Sequence, residues 1–423
     1  MKVLLLGSGG REHAYAHYLA ASPLLTKLYI APGNGGTASL GQNVNLSPTN
    51  FSDIHTFCIE NEIDLILPGN EDPLVAGITD YFAEKSPKIK VAGPSKWCAQ
   101  LEGSKSFSKK FMARHAIPTA AYKEITAHNL KDGEAFLDTL KAPYVLKADG
   151  LAAGKGVLII NDLAEAKREL RNMIQNDKFG AAGDKVVIEA FLKGIELSVF
   201  VVSDGQNWKI LGSAKDYKRI GNGDTGLNTG GMGAISPVPF ATPEFMQKVE
   251  EQVIIPTING LRQEGHPYKG VLFIGLMNDG GNPYVVEYNV RMGDPETEAI
   301  FPRLQTDMCE MINAIASNSL NTVELSLNPY TAATVMLVSE GYPQEYEKGK
   351  VITIEPNEAN MIFHAGTKHN GEELLTNGGR VIAVTALAPT LEQAQQKVYA
   401  ALQKVYFQGK TYRTDIGNDL LET

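Results

Sequence analysis

KDYKRIGNGDTGLNTGGMG, residues 215–233, and VVEYNVRMGDPETE, residues 285–298, are the stretches from which the fold and function of this chain are best inferred. The six glycines of the first stretch are incompatible with a packed core, whereas glycine lets backbone N–H groups approach anionic oxygens closely. Lys218 and Arg219 lie beside these glycines and can neutralise phosphate charge. The first stretch therefore predicts a phosphate-binding loop.

The second stretch predicts a metal site that accompanies this loop. It begins as an apolar strand in which Glu287 and Asn289 alternate, so both side chains project to the same side. Two oxygen ligands at one place suit Mg²⁺ held between the protein and nucleotide phosphates. Arg291 continues the same face and can form paired hydrogen bonds with a carboxylate or a phosphate.

Each motif also has an ordinary structural interpretation. A run rich in glycine, asparagine and aspartate is usually a surface loop, and a glutamate near a strand end is more often solvated or ion-paired than a metal ligand. The functional interpretation is favoured because a glycine loop, an acidic strand end and an arginine occur in one chain with further nucleotide signals upstream.

The composition is typical of a soluble globular protein with several domains. A chain of 423 residues is too long for one ordinary core and predicts about two to four domains. Apolar residues make up 43% of the chain and charged residues 21%. The net charge of −9 argues against a general nucleic-acid surface.

Cysteine usage and the N-terminus predict a cytoplasmic protein. Cys58, Cys98 and Cys309 are widely separated, which indicates neither a zinc site nor a disulfide framework. The apolar MKVLLLG start has no small-residue cleavage site and is interpreted as a buried strand rather than a signal peptide. No stretch reaches the roughly eighteen uncharged apolar residues needed to span a bilayer, so no membrane partner is expected.

The N-terminal part of the chain is predicted to be a doubly wound parallel α/β domain. Its short apolar strands alternate with polar or helical segments, at residues 3–6, 28–30, 63–67 and 89–91. The turn after the first strand resembles a dinucleotide fingerprint, but Glu12 occupies the place of the third glycine, so the evidence for an NAD-dependent oxidoreductase is weak. The turn still suits one phosphate at a helix N-terminus, with Arg11 as counter-charge.

The middle of the chain predicts a long helix and then a flap. Residues 96–115 have helical spacing and strong helix formers. Strands at 144–147 and 157–160 flank the glycine-rich loop 148–156, which predicts a hairpin that folds over phosphates. The GKG sequence at the end of this loop lacks the upstream glycine and the trailing Ser or Thr of a P-loop, so it is not a Walker A motif.

Two further carboxylates suggest a nucleoside site. Glu189 and Glu196 flank an apolar strand and turn, where they could accept hydrogen bonds from an adenine amino group and from ribose hydroxyls. The backbone of residues 190–192 could meet the adenine edge. Without the neighbouring motifs, an ordinary pair of carboxylates at strand ends would be the preferred interpretation.

With these residues assembled, the chain resembles the ATP-grasp ligases, and within them the glycinamide ribonucleotide synthetase (phosphoribosylamine–glycine ligase) family of de novo purine synthesis. The resemblance rests on GSGGREH at 7–13, KADGLAAGKG at 147–156, DYKR at 216–219 with NTGGMG at 228–233, and EYNVRMGDPE at 287–296. It extends to RTDIG at 413–417 and so covers nearly the whole chain.

The resemblance implies a multidomain α/β protein with three units. These are an N-terminal Rossmann-like domain at 1–102, an ATP-grasp domain at 103–325 with a flap subdomain at about 121–190, and a small mixed α/β domain at 326–423. It also implies that the flap and the loop 221–233 close before chemistry, because water would hydrolyse an acyl phosphate.

The resemblance assigns the ATP and metal sites residue by residue. Glu287 and Asn289 would bind Mg²⁺, with Mn²⁺ as the alternative. The ATP-binding residues would be Lys105, Lys147, Gly154, Lys155, Gly156, Glu189, Leu192 and Glu196.

The resemblance also implies three catalytic residues, namely Lys147, Asp216 and Arg291. Asp216 would bind the ammonium of glycine and Arg291 its carboxylate. Substrate contacts, including those with 5-phosphoribosylamine, would come from Gly9, Gly10, Arg11, Glu71, Asp216, Lys218, Gly230, Gly231, Met232, Gly233 and Arg291.

The implied reaction joins glycine to 5-phosphoribosylamine through glycyl phosphate, with ATP as co-substrate and no protein nucleophile. Two alternatives stay open at this point, another ATP-grasp carboxylate–amine ligase and a non-catalytic regulatory nucleotide-binding protein. The expected partners are these small molecules alone, and the expected assembly is a monomer or a weak dimer without a fused later activity. Asn70, Lys215 and Tyr217 depart from the residues common in the family.

Overall fold

The computed structural model of the chain describes residues 1–150, 156–175, 185–355 and 361–421. The N-terminal unit contains five strands: β1 (Lys2–Gly7), β2 (Lys27–Pro32), β3 (Gln42–Asn43), β4 (Leu65–Pro68) and β5 (Lys90–Val91). They form one parallel sheet in the order β3-β2-β1-β4-β5. The accompanying helices are α1 (Gly10–Ala20), α2 (Phe51–Glu60), α3 (Glu71–Ala76) and α4 (Ile78–Lys85).

Both faces of this parallel sheet are covered, because β1 is apolar at successive positions. Val3 and Leu5 belong to one apolar core together with residues of α1. Leu4 and Leu6 belong to another core together with residues of α2 and α4. This arrangement confirms the predicted doubly wound N-terminal domain.

The next segment begins with α5 (Lys96–Gly103) and α6 (Lys105–Arg114) and continues into a small antiparallel unit. That unit contains β6 (Tyr122–Ile125), α7 (Leu130–Thr139), β7 (Tyr144–Ala148), β8 (Val157–Ile160), α8 (Leu163–Gln175) and β9 (Val186–Ala190). Its sheet has the order β6-β9-β7-β8, and the two helices pack on it around a separate apolar core. Residues 151–155, which hold most of the predicted flap loop, lie outside the described part of the chain.

The remaining strands of the central unit are β10 (Ile195–Asp204), β11 (Trp208–Asp216), β12 (Arg219–Gly221), β13 (Thr225–Asn228), β14 (Gly233–Ser236), β15 (Lys269–Asp279) and β16 (Asn282–Asn289). Its helices are α9 (Pro243–Val249), α10 (Ile255–Gln263), α11 (Glu296–Ile300) and α12 (Met308–Ser317), with a π-helical turn (Glu250–Ile254) joining α9 to α10. β12 and β13 form a separate hairpin within the glycine-rich loop. Among the described residues, no helix is long and apolar enough to cross a membrane.

The C-terminal unit extends the central sheet. Its strands are β17 (Thr331–Ser339), β18 (Thr353–Ile354), β19 (Met361–His364), β20 (Thr367–His369), β21 (Leu374–Thr376), β22 (Arg380–Ala388), β23 (Val405–Tyr406) and β24 (Lys410–Thr411), and its helices are α13 (Leu391–Leu402) and α14 (Asn418–Leu421). The nine-stranded sheet runs β16-β15-β10-β11-β14-β17-β22-β19, with β24 beside β17. The antiparallel pairing of β14 with β17 therefore joins the central and C-terminal units directly.

The prediction of one helix over residues 96–115 is wrong, because the chain forms two helices separated by Ser104. Ser104 has an extended backbone, with φ −142° and ψ 114°, and is the N-cap of α6. Its Oγ accepts a hydrogen bond from the Phe107 N–H at 3.1 Å and lies 3.1 Å from both carboxylate oxygens of Asp149. The continuous helical pattern conceals this break, because serine tolerates a helix interior as well as a cap.

We predict that Ser104→Ala weakens the first turn of α6 by about 1 kcal/mol, because it removes the cap that Phe107 uses. Hydrogen exchange of the Phe107 amide should then be roughly fivefold faster. Ser95→Ala removes the cap of α5, whose Oγ accepts from the Cys98 N–H at 3.3 Å, and serves as the matched control. It should accelerate exchange at Cys98 only. Unchanged Phe107 exchange in Ser104→Ala would contradict this account of the break.

Candidate active site

A cavity of about 410 Å³ lies between the three units. Its wall includes residues of α5, α6, β7 and β16, the segments that follow β11 and β16, and Arg380 of β22. The charged lining residues are Arg11, Glu71, Glu102, Lys105, Lys109, Lys147, Glu189, Asp216, Lys218, Glu287, Arg291, Asp294, Glu296 and Arg380. All three residues predicted to be catalytic therefore face one cavity.

The two predicted metal ligands both line this cavity from β16. Glu287 and Asn289 are two positions apart on the strand, so the alternation expected from the sequence is present. Burial acts to raise the pKa of Glu287, but the charges of Lys218, Lys147 and Lys105 outweigh it and lower that pKa. The described residues contain no group of three or more His, Cys, Asp or Glu side chains that could hold a metal ion. Carboxylate and amide oxygens are ligands that hard divalent cations prefer, so the pair Glu287 and Asn289 fits such an ion.

Two lysines flank the carboxylate of Glu189, and one of them, Lys147, belongs to β7. Lys147 Nζ lies 2.9 Å from one Glu189 carboxylate oxygen, and Lys109 Nζ lies 2.9 Å from the other. Burial acts to raise the pKa of Glu189, but these two lysines lower it. Burial lowers the pKa of Lys109 to about 8. Glu189, which sequence reasoning placed against adenosine, is therefore held in position by two buried cations.

Lys109 was not predicted as a site residue, although the sequence contains a signal for it. Lys105 and Lys109 are four residues apart, so they share one face of α6. Lys105 Nζ donates a hydrogen bond to the Gly150 carbonyl at 3.0 Å, and burial lowers its pKa. Lys109 Nζ donates to Thr119 Oγ1 at 2.7 Å.

Arg291 is fixed by two carboxylates. Its Nη2 donates to Glu102 Oε1 at 2.7 Å and to Asn289 Oδ1 at 3.2 Å, and its Nε donates to Glu71 Oε2 at 3.2 Å. Glu102 also accepts from the Val290 N–H at 2.7 Å, and burial raises its pKa to about 7. Sequence reasoning missed Glu102, because an acidic residue near a helix end is ordinarily solvated. Glu71, predicted to contact substrate, lines the same cavity and is a partner of Arg291.

Asp216 and Glu296 are neighbouring carboxylates of the cavity. Burial raises the pKa of Asp216, although Lys218 acts in the opposite direction. Burial and then the nearby Asp216 raise the pKa of Glu296 to about 8. Lys218 donates a hydrogen bond to Glu196, so the predicted ribose ligand Glu196 is paired with a predicted substrate ligand. Glu296 belongs to the motif EYNVRMGDPE, but the sequence predicted no role for it.

The first turn of α1 is already capped by carboxylates. The Gly9 N–H donates to Glu12 Oε2 at 2.6 Å, and the Arg11 N–H donates to Asp294 Oδ2 at 3.1 Å. The Arg11 guanidinium is buried, with Nε 2.7 Å from Glu12 Oε1 and Nη1 donating to the Met292 carbonyl at 2.9 Å. A phosphate at this helix terminus would therefore share the site with Asp294, a residue for which the sequence predicted no role.

The predicted substrate loop is only partly exposed to the cavity. Gly230 lines it, and the carbonyls of Gly230 and Gly231 accept hydrogen bonds from Arg380 Nη1 at 2.6 and 3.5 Å. Met232 is buried in the core and Gly233 begins β14. Neither residue lines the cavity.

The remaining predicted ATP-binding residues have different placements. Gly156 lines the cavity. Leu192 is half-buried in the turn between β9 and β10 and does not line the cavity. Gly154 and Lys155 lie outside the described residues.

Glu298 on α11 is fully buried, and neither carboxyl oxygen has a hydrogen-bond partner within the described part of the chain. Burial and then Asp294 raise the pKa of Glu298 well above its ordinary value, although Arg380 and Arg11 oppose this shift. Stability from the neutral carboxyl is thus fully present below the unfolded pKa near 4.5 and is lost as the pH rises through the folded pKa.

We predict that Glu298→Gln raises the thermal midpoint at pH 8 by at least about 2 °C and leaves it nearly unchanged at pH 4.5. Glutamine has the same shape but no proton to lose, so the alkaline loss of stability disappears. Thermal unfolding at both pH values checks this, with the exposed Glu310→Gln on α12 as control. A lower midpoint at pH 8, or an equal gain at both pH values, would contradict the neutral form.

The matches between this chain and known proteins have the same order of three units. Three family models match the chain in succession, namely the N domain of phosphoribosylglycinamide synthetase over residues 1–102, its ATP-grasp (A) domain over 103–297 and its C domain over 332–419. The phosphoribosylamine–glycine ligase of Chlorobaculum tepidum is 47% identical over 425 residues, which cover 99% of this chain and 99% of that protein.

Solved structures agree with these matches. The crystal structure of phosphoribosylamine–glycine ligase from Thermotoga maritima superimposes with a TM-score of 0.85 at 38% identity, covering 98% of this chain and 100% of that one. The biotin carboxylase domain of Hydrogenobacter thermophilus 2-oxoglutarate carboxylase gives a TM-score of 0.75 at 19% identity, covering 97% of this chain and 91% of that one, and shares the fold alone. The predicted ATP-grasp fold is therefore confirmed. This chain belongs to the phosphoribosylglycinamide synthetase family and is an ATP-grasp ligase that forms a carbon–nitrogen bond.

Proposed function

We propose that this ligase joins glycine to 5-phosphoribosylamine while consuming ATP, giving glycinamide ribonucleotide, ADP and phosphate in purine biosynthesis. The observation that carries this proposal is the convergence of three kinds of group in one cavity. These are the lysines Lys105 and Lys147, the oxygen pair on β16, and the pair Asp216 and Arg291. Such a lining suits a nucleoside triphosphate together with a zwitterionic amino acid.

The phosphate-binding role is supported by charge. Lys147 is buried and Lys105 is half-buried, and both line the cavity, where they can hold the phosphate oxygens of ATP. Glu287 and Asn289 would hold the divalent cation that the family uses, which we propose to be Mg²⁺, with Mn²⁺ as the alternative. When bound, this ion neutralises phosphate charge. Gly156 and the flap would then cover the phosphates and exclude water.

The nucleoside end is proposed to lie along β9 and β10. Glu189 is oriented by Lys109 and Lys147, so one of its oxygens can accept a hydrogen bond without bringing an uncompensated charge into the site. Leu192 and Glu196 would contribute the adenine edge and a ribose contact. Glu196 would share Lys218 with the nucleotide.

The glycine site is proposed to lie between Asp216 and Arg291. Asp216 offers its carboxyl group to the ammonium of glycine. Burial raises the pKa of Asp216 and Lys218 opposes this shift, so a bound ammonium would further favour the charged form. Arg291 offers a guanidinium to the carboxylate, and Glu71 and Glu102 hold that guanidinium in one orientation. 5-Phosphoribosylamine would approach from the side of α1, where Gly9, Gly10 and Arg11 lie, with Gly230 and Gly231 opposite them.

The chemistry then needs alignment rather than a protein nucleophile. A carboxylate oxygen of glycine forms a bond with the γ-phosphorus of ATP, and the bond from that phosphorus to the β–γ bridging oxygen breaks, giving glycyl phosphate and ADP. The amine of 5-phosphoribosylamine next attacks the acyl carbon. The bond from this carbon to the phosphate oxygen breaks and the nitrogen loses a proton, giving the amide and phosphate. Positioning and charge neutralisation are what phosphoryl transfer mainly demands.

The domain bounds 1–102, 103–325 and 326–423 are proposed as the functional units. They are supported by the separate apolar core of the flap, and by the family models, which match residues 1–102, 103–297 and 332–419. We also propose a cytoplasmic monomer or weak dimer that binds no nucleic acid or membrane. Three buried free cysteines and a net charge of −9 support this proposal.

Phosphate release tests the proposed reaction. The purified protein is incubated with ATP and Mg²⁺, and glycine and 5-phosphoribosylamine, the latter formed in place from ribose 5-phosphate and ammonia, are each omitted in turn. Release should require both substrates and should be matched by a product with the mass of glycinamide ribonucleotide. Release with neither substrate dependence nor this product would contradict the proposed substrates.

We predict that Glu287→Gln raises the Mg²⁺ concentration for half-maximal phosphate release by roughly tenfold or more, because an amide oxygen replaces a charged ligand. A Mg²⁺ titration at saturating ATP and glycine measures this change. Glu310→Gln, an exposed substitution on α12, should leave the titration unaltered. An identical titration curve for Glu287→Gln would remove Glu287 from the ligand set.

A further inference from the structure

Three consecutive residues at the end of β11 lie in two different environments. Asp216 lines the cavity, whereas Lys215 and Tyr217 on either side of it are buried and contact the C-terminal segment. The backbone is extended here, because Lys215 pairs with Ile235 and Asp216 with Ala234 on β14. Successive side chains of an extended chain point to opposite faces, so the contacts of Lys215 and Tyr217 determine how Asp216 is presented.

Asp419 on α14 binds both flanking residues. The Tyr217 hydroxyl donates a hydrogen bond to Asp419 Oδ1 at 2.6 Å, and Lys215 Nζ lies 2.9 Å from Asp419 Oδ2. Lys215 Nζ is also 3.9 Å from the centre of the Tyr217 ring. We call Lys215, Tyr217 and Asp419 the Asp419 cluster.

The charges within the Asp419 cluster are mutually stabilising. Burial acts to raise the pKa of Asp419, but the hydrogen bonds from Tyr217 and Lys215 lower it. Burial and the hydrogen bond to Asp419 raise the pKa of Tyr217, so the phenol remains a donor. One carboxylate therefore accepts from two donors that belong to the strand carrying Asp216.

The same C-terminal segment also holds the hairpin that follows. Arg413 Nη1 donates to Asp224 Oδ1 at 2.6 Å, and the Gly223 N–H donates to Asp415 Oδ2 at 2.7 Å. Asn222 Nδ2 donates to Thr414 Oγ1 at 2.7 Å. The segment that carries Asp419 is therefore bonded both to the strand of Asp216 and to the hairpin that follows it.

We propose that Asp419 is a positioning residue that sets the glycine-binding orientation of Asp216 through Lys215 and Tyr217. This inference rests on the proposed function, in which Asp216 binds the ammonium of glycine. Asp419 is not part of the cavity wall, so its effect passes through the strand. A carboxylate–ammonium contact depends strongly on distance and direction, and a small backbone displacement therefore weakens it.

The test compares glycine and ATP affinities in variants of the full chain. Glycine dissociation constants are measured by calorimetry with Mg²⁺ and a non-hydrolysable ATP analogue present, so variants with little turnover remain comparable. Asp419→Ala should raise the glycine constant roughly tenfold and leave the constant for the ATP analogue within about twofold. Asp419→Asn should have an intermediate effect, because the amide oxygen still accepts from Tyr217 but the ion pair with Lys215 is lost.

A second comparison, made in a protein that already carries Asp216→Asn, tests whether Asp419 acts through Asp216. In an Asp216→Asn protein, adding Asp419→Ala should change the glycine constant by less than about twofold, because the contact that Asp419 orients is already lost. Glu392→Ala, an exposed carboxylate on α13 of the same unit, is the matched control and should change neither constant. Circular dichroism and the ATP-analogue constant report whether each variant remains folded.

Three results would overturn the proposal. These are an unchanged glycine constant in Asp419→Ala, equal losses of glycine and ATP-analogue affinity, and a full additional glycine loss in the Asp216→Asn background. If Asp216→Asn alone leaves glycine binding unchanged, the proposal falls together with the role given to Asp216. The ligase proposal is then judged separately by whether phosphate release requires glycine.

Discussion

The Asp294 carboxylate is the contact on which the rest of the site depends, because it joins all three units. Its Oδ2 accepts from the Arg11 N–H at the start of α1, and its Oδ1 lies 2.9 Å from Arg380 Nη2 on β22. Arg380 also donates to the carbonyls of Asp294 and Gly230 at 2.7 and 2.6 Å. A carboxylate that is largely shielded from water is tolerated when it is paired, so the contacts of Asp294 with both neighbouring units help to hold the segment after β16 in place. The cavity is therefore formed jointly by residues of all three units.

Charge pairing explains how this cavity can be lined by so many ionised groups. Glu189 lies between Lys109 and Lys147, and Arg291 lies between two carboxylates, so each buried charge has an opposite charge nearby. Such pairs add little net stability, but losing one partner leaves a buried charge uncompensated. Their value is orientation, because groups that are already fixed need little reorganisation when substrate charge develops.

Sequence reasoning identified the elements with strong local signals, and missed contacts made between distant segments. The apolar β1 and the strand that carries Glu287 and Asn289 follow from periodicity and residue chemistry. The break between α5 and α6 at Ser104 was not predicted, because a serine cap leaves the helical pattern nearly unbroken. Glu102 and Asp419 act through partners far away in the chain, and no local pattern encodes such pairs. The pairing of β14 with β17 is likewise long-range, so the sequence did not predict that the sheet continues from the central unit into the C-terminal unit.

We infer that glycine is activated as an acyl phosphate inside the assembled cavity, and transfer of an oxygen isotope from glycine to phosphate is the measurement that bears on this step. Glycine labelled with ¹⁸O in both carboxylate oxygens is supplied with ATP, Mg²⁺ and 5-phosphoribosylamine, and the released phosphate is analysed by mass spectrometry. Each phosphate formed should carry one ¹⁸O atom, because the oxygen that attacks phosphorus leaves with it. Phosphate without ¹⁸O, formed at the same rate as product, would contradict an acyl phosphate intermediate.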